Sequence, residues 1–360
     1  MGSDYRLYRF TERKSGYFHI GENSMTNILI VGAGVVGQAT GKGFAKKGHQ
    51  ITYVDIDRTK LNQLQQQGMR ATSIDAVDWA AVDIVMLTVS TPTVNKQIVL
   101  DYIKQAAYDI GNNLVNTSKY VCIVVRSTVP PTTTESVIRP ILERTSGKLC
   151  GVDFGLAMNP EFLRQRTSEL DFDRPWITVL GILDQMTMQV LYDLYMPFGG
   201  LVVHCTPTEA EMIKYVNNVY NAVKISYFNE VHQICETIGV DSSVVSAIVA
   251  RSAESMWNPI YGTRGGAPYG GACLPKDTEA FMSFCNDHGI THKMLEATIA
   301  VNEDLLASRP AAQSPEEIDQ VLNLVKQPTQ EMIFSTNGHG LHNGKSNGHS
   351  SHLIQAEIPS

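Results

Sequence analysis

The chain has 360 residues, 43% of them hydrophobic and 18% charged, which is typical of a globular protein with two domains or one large domain with tails. Its formal net charge of −7 argues against nucleic acid or an anionic membrane as a partner. No apolar run approaches a membrane span, no signal peptide is recognisable, and the six scattered cysteines form no metal-ligand pattern, so we expect a cytoplasmic protein with reduced thiols and no metal site.

Residues 1–24 are polar without a clear period, and we predict a flexible leader there. From Asn27 onward, short apolar runs that favour strands alternate with helical segments. The strands are predicted at residues 28–31, 50–55, 83–89, 120–126 and 178–181, and the first helix at 37–47. This alternation is typical of βαβ units. It predicts an α/β fold whose N-terminal domain, residues 25–205, is a Rossmann doubly wound parallel sheet.

Beyond Pro207 the pattern changes to helix. The stretch Thr208–Thr237 lacks Pro and Gly and repeats apolar residues at helical spacing. This predicts one long helix, with Thr208 as its N-cap and Gly239 as its stop. Because a helix of this length is apolar on more than one side, we expect it to form the interface of a homodimer.

The remaining chain contains shorter helices and a tail. Helices are predicted at residues 241–251 and from about Thr278 onward, so that residues 206–308 form an α-helical domain. The segment 309–360 is polar and low in complexity, and we predict that it is mostly disordered.

A glycine-rich turn lies between the first strand and the first helix, Gly32-Ala33-Gly34-Val35-Val36-Gly37. Such glycines permit a tight turn and a close approach of the backbone to a pyrophosphate, which then faces the N-terminus of the helix. Asp55 ends the next strand, where an acid can bind the ribose hydroxyls and repel a 2′-phosphate. The pattern predicts an NAD site, bordered by Thr91, Pro92 and Thr128 in loops that follow two further buried strands.

A second motif, YGGACLPKD, places Cys273 between two glycines and the pair Lys276-Asp277. A neighbouring cation favours the thiolate, which is the nucleophilic form of cysteine. Taken alone, a cysteine in a glycine-rich loop is more often structural than catalytic.

Two further groups are ambiguous when taken singly. Glu161, in the run NPEFLRQ, is a candidate general base, although such an acid is more often a surface or helix-start residue. Lys214 and Asn218 share one face of the long helix because they are four residues apart. An isolated pair of this kind normally faces solvent.

Together these motifs resemble the UDP-glucose/GDP-mannose dehydrogenase family over roughly residues 25–305. The shared runs are GAGVVG, STPT, STVP, NPEFL, the Lys–Asn pair and GGACLPKD, in the family's order and approximate spacing. The resemblance implies oxidation of a primary alcohol to a carboxylate with two NAD+, on a nucleotide sugar such as UDP-glucose. A simpler 2-hydroxy-acid dehydrogenase shares the Rossmann start but needs no cysteine, and would leave GGACLPKD unexplained.

The resemblance also implies a role for each site residue. Cys273 would attack the intermediate aldehyde, and Lys214 and Asn218 would stabilise the oxyanion. Lys214 and Asp277 would hold the base or ordered water that takes the alcohol proton. Glu161 would then activate the hydrolytic water, with Thr128 helping to place it. Cofactor contacts are expected to include Lys276, and substrate contacts are expected from Phe162, Leu163, Gln165, Arg264 and Gly270.

Three features depart from the family pattern. Gln165 stands where the family usually has a second acid, the loop before Cys273 is unusually rich in glycine, and the residues after about Ser308 are too few and too polar to form the family's further nucleotide-covering domain. Two alternatives therefore accompany the nucleotide-sugar hypothesis. One is the same chemistry on another alcohol, for example one tethered to a carrier protein; the other is a non-catalytic, NAD-binding dimeric scaffold.

Overall fold

The computed structural model describes residues 25–164, 166–259, 261–263 and 265–308. The predicted leader and tail, together with Gln165 and Arg264, lie outside the described residues. The chain divides into two compact units, within residues 1–227 and 228–360. Each unit is described separately below.

The first unit alternates strands and helices along most of its length. Its elements are β1 (Asn27–Val31), α1 (Val35–Lys46), β2 (Gln50–Val54), α2 (Arg58–Gln66), β3 (Arg70–Thr72), β4 (Ile84–Leu87), β5 (Thr93–Val94), β6 (Gln97–Ile98), α3 (Asp101–Leu114), β7 (Val121–Val125), α4 (Arg139–Ser146), β8 (Phe154–Met158), α5 (Ser168–Asp173), β9 (Ile177–Ile182), α6 (Gln185–Tyr195), β10 (Leu201–Cys205) and the start of α7 (Pro207–Thr237). The second unit contains the end of α7 and the helices α8 (Ser242–Ser252), α9 (Glu254–Trp257), α10 (Leu274–Asp287) and α11 (Lys293–Ala307).

Eight strands of the first unit form one sheet, in the order β10-β9-β8-β7-β4-β1-β2-β3. β1 pairs in parallel with both β2 and β4, and the order of connection reverses between β1 and β4. Ligands of open α/β sheets bind at the carboxyl ends of the strands at such a point. The predicted α/β class with a Rossmann-type sheet is confirmed. The sheet differs from a purely parallel one because β8 and β9 pair antiparallel.

Side chains of β1 alternate between two hydrophobic cores, one on each face of the sheet. Leu29 and Val31 belong to one core, whereas Ile28 and Ile30 belong to the other. This alternation follows from the two-residue period of a strand. Helices on both faces cover the sheet, which explains why its central strands are continuous apolar runs.

The long helix α7 begins one residue before its predicted start. Thr206, and not Thr208, caps it, because the Thr206 N–H donates to Glu209 Oε2 (2.8 Å) and the Glu209 N–H donates to Thr206 Oγ1 (3.3 Å). This reciprocal pair is a capping box, with Pro207 in the first helical position. The Thr208 hydroxyl donates instead to Glu135.

Many apolar side chains of α7 are exposed, namely Met212, Ile213, Val216, Val219, Tyr220, Val223, Ile225 and Tyr227. The second unit has a small described core around Ile234, Cys285 and Ile290. No helix in the described ranges is both long and apolar enough to cross a membrane.

Candidate functional site

The glycine-rich turn joins β1 directly to α1. Gly32 has φ +102°, and a Cβ there would lie 2.7 Å from the backbone of Thr88. A Cβ on Gly37 would lie 2.0 Å from the carbonyl oxygen of Gly32, so both positions require glycine. A Cβ on Gly34 would meet no atom within 4 Å, and no side chain caps α1 at this residue. The first-turn N–H groups of α1 thus have no side-chain cap at Gly34, and such groups at a helix N-terminus suit an anion.

Asp55 lies directly after β2 and next to this turn. Its side chain is 7% exposed, and Oδ2 accepts a hydrogen bond from the Ala33 N–H at 2.8 Å. Lys60 Nζ lies 3.4 Å from the same oxygen. Val35 is exposed and Val36 is partly exposed at the start of α1. A tight glycine turn, open space at the helix N-terminus and an adjacent carboxylate together fit a dinucleotide.

The two loops predicted to border the cofactor are hydrogen-bonded to each other. Thr91 Oγ1 donates to the carbonyl oxygen of Thr128 at 2.7 Å, and Ser127 Oγ donates to the carbonyl oxygen of Val89 at 2.6 Å. Pro92 is exposed in the first of these loops. The loops follow β4 and β7, which are neighbours in the sheet. Thr128 is therefore fixed by contacts with the preceding loop.

Glu161 and Lys214 form a largely buried ion pair. Lys214 Nζ lies 2.9 Å from Glu161 Oε1, and the two side chains are 8% and 13% exposed for Lys214 and Glu161 respectively. Lys214 Nζ also donates to the carbonyl oxygen of Glu161 at 2.5 Å, and the Leu163 N–H donates to Glu161 Oε2 at 2.7 Å. Both carboxylate oxygens are thus engaged, which fixes the orientation of the group.

A cavity of about 510 Å³ in the first unit lies beside this pair. Its walls include Glu161, Phe162 and Leu163, all predicted site residues. Asn218 lies one helical turn after Lys214, is exposed, and accepts a hydrogen bond from Asn217 Nδ2 at 3.2 Å.

Cys273 lies in the second unit, where it is exposed at the N-cap of α10. The helix was expected from about Thr278, but it begins at Leu274. Pro275 in its second position is the sequence signal for the earlier start, because proline is favoured in the first turn. The sulfur of Cys273 is therefore accessible beside the N-terminus of this helix.

The residues after Cys273 form an exposed ion pair. Lys276 Nζ lies 2.8 Å from Asp277 Oδ1, and the two side chains are 71% and 65% exposed. Gly270 is also exposed. The predicted catalytic set thus divides between the units, with Cys273 and Asp277 in the second.

Sequence reasoning missed a buried polar network in the first unit. Arg126 directly precedes the loop of Thr128, Asn159 directly precedes Pro160 and Glu161, and Tyr195 ends α6. Arg126 Nη1 donates to Asn159 Oδ1 and to Tyr195 Oη, and Tyr195 Oη donates to Asn159 Oδ1 at 2.5 Å. The sequence could have indicated Arg126, because it is a charged residue at the end of an otherwise apolar strand.

The family models that match this chain cover both units. The model described as the UDP-glucose/GDP-mannose dehydrogenase family, NAD binding domain, matches residues 26–76 and 62–199. The model of the same family's central domain matches residues 208–304. NAD is therefore the cofactor of the N-terminal domain, as the glycine turn and Asp55 predicted.

Similar proteins of known activity cover most of the described chain. A GDP-mannose 6-dehydrogenase of Pseudomonas putida is 36% identical over 297 residues, covering 77% of this chain and 68% of the relative. A UDP-glucose 6-dehydrogenase of Haloferax volcanii is 34% identical over 301 residues, covering 77% and 69%. For several further GDP-mannose 6-dehydrogenases the covered share is 62%. The chain thus spans about two thirds of the length of these relatives.

A crystal structure of a ternary complex of GDP-mannose dehydrogenase from Pseudomonas aeruginosa superposes with a TM-score of 0.73 at 33% identity, covering 78% of this chain and 69% of that one. A UDP-glucose dehydrogenase from Pyrobaculum islandicum gives a TM-score of 0.61 at 29% identity, covering 80% and 70%.

Proposed function

Because the chain belongs to the UDP-glucose/GDP-mannose dehydrogenase family, we propose that it oxidises the primary alcohol of a nucleotide sugar to a carboxylate in two NAD+-dependent steps. The observation that carries this proposal is the buried Glu161–Lys214 pair, of which Glu161 lines a cavity in the same unit as the dinucleotide-binding turn. A buried, oriented acid–base pair beside a cavity is what such chemistry requires.

In the first oxidation the alcohol loses a proton and a hydride and becomes an aldehyde. The proton passes to a base or ordered water, and the family resemblance assigns this step to Lys214 of the first unit and Asp277 of the second. Lys214 Nζ, whose position is fixed by two contacts with Glu161, stabilises the developing oxyanion together with the Asn218 amide. NAD+, when bound, supplies the hydride acceptor for both oxidations.

The second oxidation proceeds through a covalent bond to Cys273. The thiolate adds to the aldehyde carbon and forms a thiohemiacetal, whose loss of a second hydride leaves a thioester. Covalent attachment keeps the aldehyde from escaping between the two oxidations. Cys273 is exposed at the N-terminus of α10, so its sulfur is accessible for this step.

Hydrolysis of the thioester releases the product. A water attacks the thioester carbonyl, its proton passes to Glu161, and the carbon–sulfur bond breaks to return the Cys273 thiolate. Thr128 helps to place this water. Phe162 and Leu163 line the cavity beside Glu161 and contribute to substrate binding, and Lys276 contributes to cofactor binding.

The exposed apolar side chains of α7 support a homodimer formed through this helix. In solution we expect twice the chain mass by light scattering. Val223→Asp should lower the measured mass to that of one chain, because it places a charge in the buried centre of the interface. Leu149→Asp, at an exposed apolar residue of the first unit, is the matched control and should remain a dimer. A monomeric wild-type protein at micromolar concentration would contradict the dimer.

The test of the activity is the number of NADH formed per substrate consumed, with GDP-mannose and UDP-glucose in separate reactions. We expect two NADH per sugar with one of them, and no complete oxidation by Cys273→Ala. Cys150→Ala, at a half-buried cysteine of the first unit, should retain activity. NAD+ binding without turnover of either sugar would contradict the nucleotide-sugar assignment. Activity on an alcohol tethered to a carrier protein, or on no alcohol at all, would then favour the corresponding alternative.

A further inference from the structure

The network of Arg126, Asn159 and Tyr195 joins the ends of neighbouring strands in the first unit. Arg126 follows β7 and Asn159 follows β8, so each residue stands at the point where a strand passes into a loop. Thr128 lies two residues beyond Arg126, and Glu161 lies two residues beyond Asn159. The two loops assigned to thioester hydrolysis therefore begin at the same polar cluster.

Asn159 continues the pairing of β8 where the backbone ladder stops. The antiparallel register of β8 and β9 consists of Ala157↔Ile182 and Met158↔Gly181. Beyond it, Asn159 Nδ2 donates to the carbonyl oxygen of Val179 at 2.7 Å. The next residue, Pro160, has no N–H and a nearly fixed φ. Only this stiff residue separates the anchored Asn159 from Glu161.

Arg126 is a charged residue at a buried position, which is unusual. It is 4% exposed, and among the described residues its acceptors are an amide and a phenol rather than a carboxylate. Its Nε lies buried without an acceptor in that same part of the chain. A buried cation without a counter-charge destabilises a fold relative to apolar packing. Its hydrogen bonds to Asn159 and Tyr195 instead fix the arrangement of these two side chains.

Tyr195 is the third residue of the network, and both its ring and its hydroxyl have partners. Its ring packs edge-on against Phe44 of α1 and lies beside Phe198, while its hydroxyl bonds both Arg126 and Asn159. Burial raises the pKa of Tyr195, so the phenol keeps its proton and remains a donor. Removing this single hydroxyl loosens the network without removing the ring.

We propose that Arg126, Asn159 and Tyr195 are positioning residues that hold the loops of Thr128 and Glu161 in register for thioester hydrolysis. The expected change in the Glu161 loop depends only on the network, whereas the expected effect on hydrolysis rests also on the proposed function. A displacement of about 1 Å at a catalytic group can reduce a rate by about 10²-fold. The network therefore matters to the chemistry although none of its members enters a bond-making step.

The first test is amide hydrogen exchange in Tyr195→Phe. The Leu163 N–H donates to Glu161 Oε2, so its exchange reports the position of the Glu161 carboxylate. We expect exchange in the segment 161–164 to become about tenfold faster, because that hydrogen bond opens more often. Tyr120→Phe is the matched control. It also removes a phenol hydroxyl with two partners, Asp184 and Thr187, and it lies at the opposite end of β7 from the Thr128 loop.

The second test measures the hydrolytic step itself. With the sugar that the wild type oxidises, Tyr195→Phe should lower kcat by about tenfold to 10²-fold. The thioester on Cys273 should accumulate and be visible by mass spectrometry of the quenched protein. Arg126→Lys keeps the cation but only part of the hydrogen bonding, so its kcat should lie between those of the wild type and Tyr195→Phe. If Tyr195→Phe does not fold, Arg126→Lys is used for the same measurements.

The outcomes separate the two proposals. Unchanged exchange in the segment 161–164, or an equal increase in Tyr120→Phe, would overturn the positioning role. A wild-type protein that oxidises neither GDP-mannose nor UDP-glucose contradicts the proposed function, and the exchange measurement then decides the network independently. Faster exchange with an unchanged kcat and no trapped thioester would overturn the link to hydrolysis.

Discussion

Two lysine–carboxylate pairs in this chain have nearly the same length but lie in very different surroundings. Lys214 and Glu161, in the first unit, are 2.9 Å apart with side chains 8% and 13% exposed. Lys276 and Asp277, in the second unit, are 2.8 Å apart with side chains 71% and 65% exposed. Distance alone therefore does not distinguish a buried ion pair from one that is exposed to solvent.

The difference lies in what each group loses when its partner is removed. In the buried pair neither group can return to water, so the partner and the extra bonds from Leu163 and the Glu161 carbonyl replace the hydration shell. In the exposed pair, water replaces the partner and salt screens the attraction. Substitutions in the two pairs, and in one further buried carboxylate, test this contrast.

The largest effect is expected for Lys214→Met, which keeps the length of the side chain but leaves Glu161 buried without a cation. Breaking a buried pair in this way costs about 3–5 kcal/mol of unfolding free energy. Urea denaturation of the first-unit transition measures it. A loss below about 1 kcal/mol would mean that water reaches Glu161 freely, and the contrast with the exposed pair would fail.

Glu161→Gln should preserve the contact with Lys214 while removing the group that takes a proton. We expect the hydrolytic step to slow by at least about 10²-fold, with the thioester accumulating on Cys273. Pre-steady-state NADH formation followed by mass spectrometry measures both. Asp277→Asn, which lies in the exposed pair, is the comparison variant and should not accumulate a thioester. Rapid, complete turnover by Glu161→Gln would remove Glu161 from the mechanism.

Glu211 is a buried carboxylate that forms no ion pair with a lysine among the described residues, and it extends the comparison to that case. It is fully buried on α7 and accepts bonds from the Thr134 N–H and hydroxyl, and burial raises the pKa of its carboxyl. A folded-state pKa above the unfolded value adds stability at low pH that is lost as pH rises through the folded pKa. Glu211→Gln should therefore be more stable than wild type by about 1 kcal/mol at pH 8, with the gain vanishing near pH 4. A pH-independent difference in urea unfolding would contradict this.

The smallest effect is expected for Lys276→Met. Exposed pairs contribute about 0.2–1 kcal/mol, so we expect a change in unfolding free energy below about 0.5 kcal/mol, decreasing further in 1 M salt. Urea denaturation at two salt concentrations measures it. A loss comparable to that of Lys214→Met would show that the second unit buries this pair in solution.

Local patterns in the sequence predicted what depends on nearby residues. The glycine turn, Asp55 and the length of α7 follow from spacing and period, and the structure agrees with them to within one or two residues. The exceptions are instructive, because Thr206 and Glu209 cap α7 together and Pro275 lies inside α10. Both signals were present in the sequence. The prediction instead placed the cap of α7 at the neighbouring Thr208, and the start of α10 at Thr278, after the glycine-rich loop.

Contacts between distant residues could not be predicted in this way. Lys214 and Glu161 are separated by 53 positions, and Arg126 and Tyr195 by 69. The antiparallel pairing of β9 with β8 depends on the path of the intervening chain, since both strands are short apolar runs. The family resemblance predicted which residues are catalytic, but it gave no indication of the network of Arg126, Asn159 and Tyr195.

The exposure of Cys273 makes its thiol accessible to oxidants and alkylating reagents. The other five cysteines are buried or half-buried, and burial raises the pKa of Cys122, Cys150, Cys205 and Cys285, which keeps those thiols in the unreactive protonated form. Peroxide and alkylating reagents act on an accessible thiolate, so Cys273 should be the first to become a sulfenic acid or to be labelled by iodoacetamide. If Cys273 is the nucleophile that we propose, storage with a thiol reductant should preserve activity that air oxidation removes.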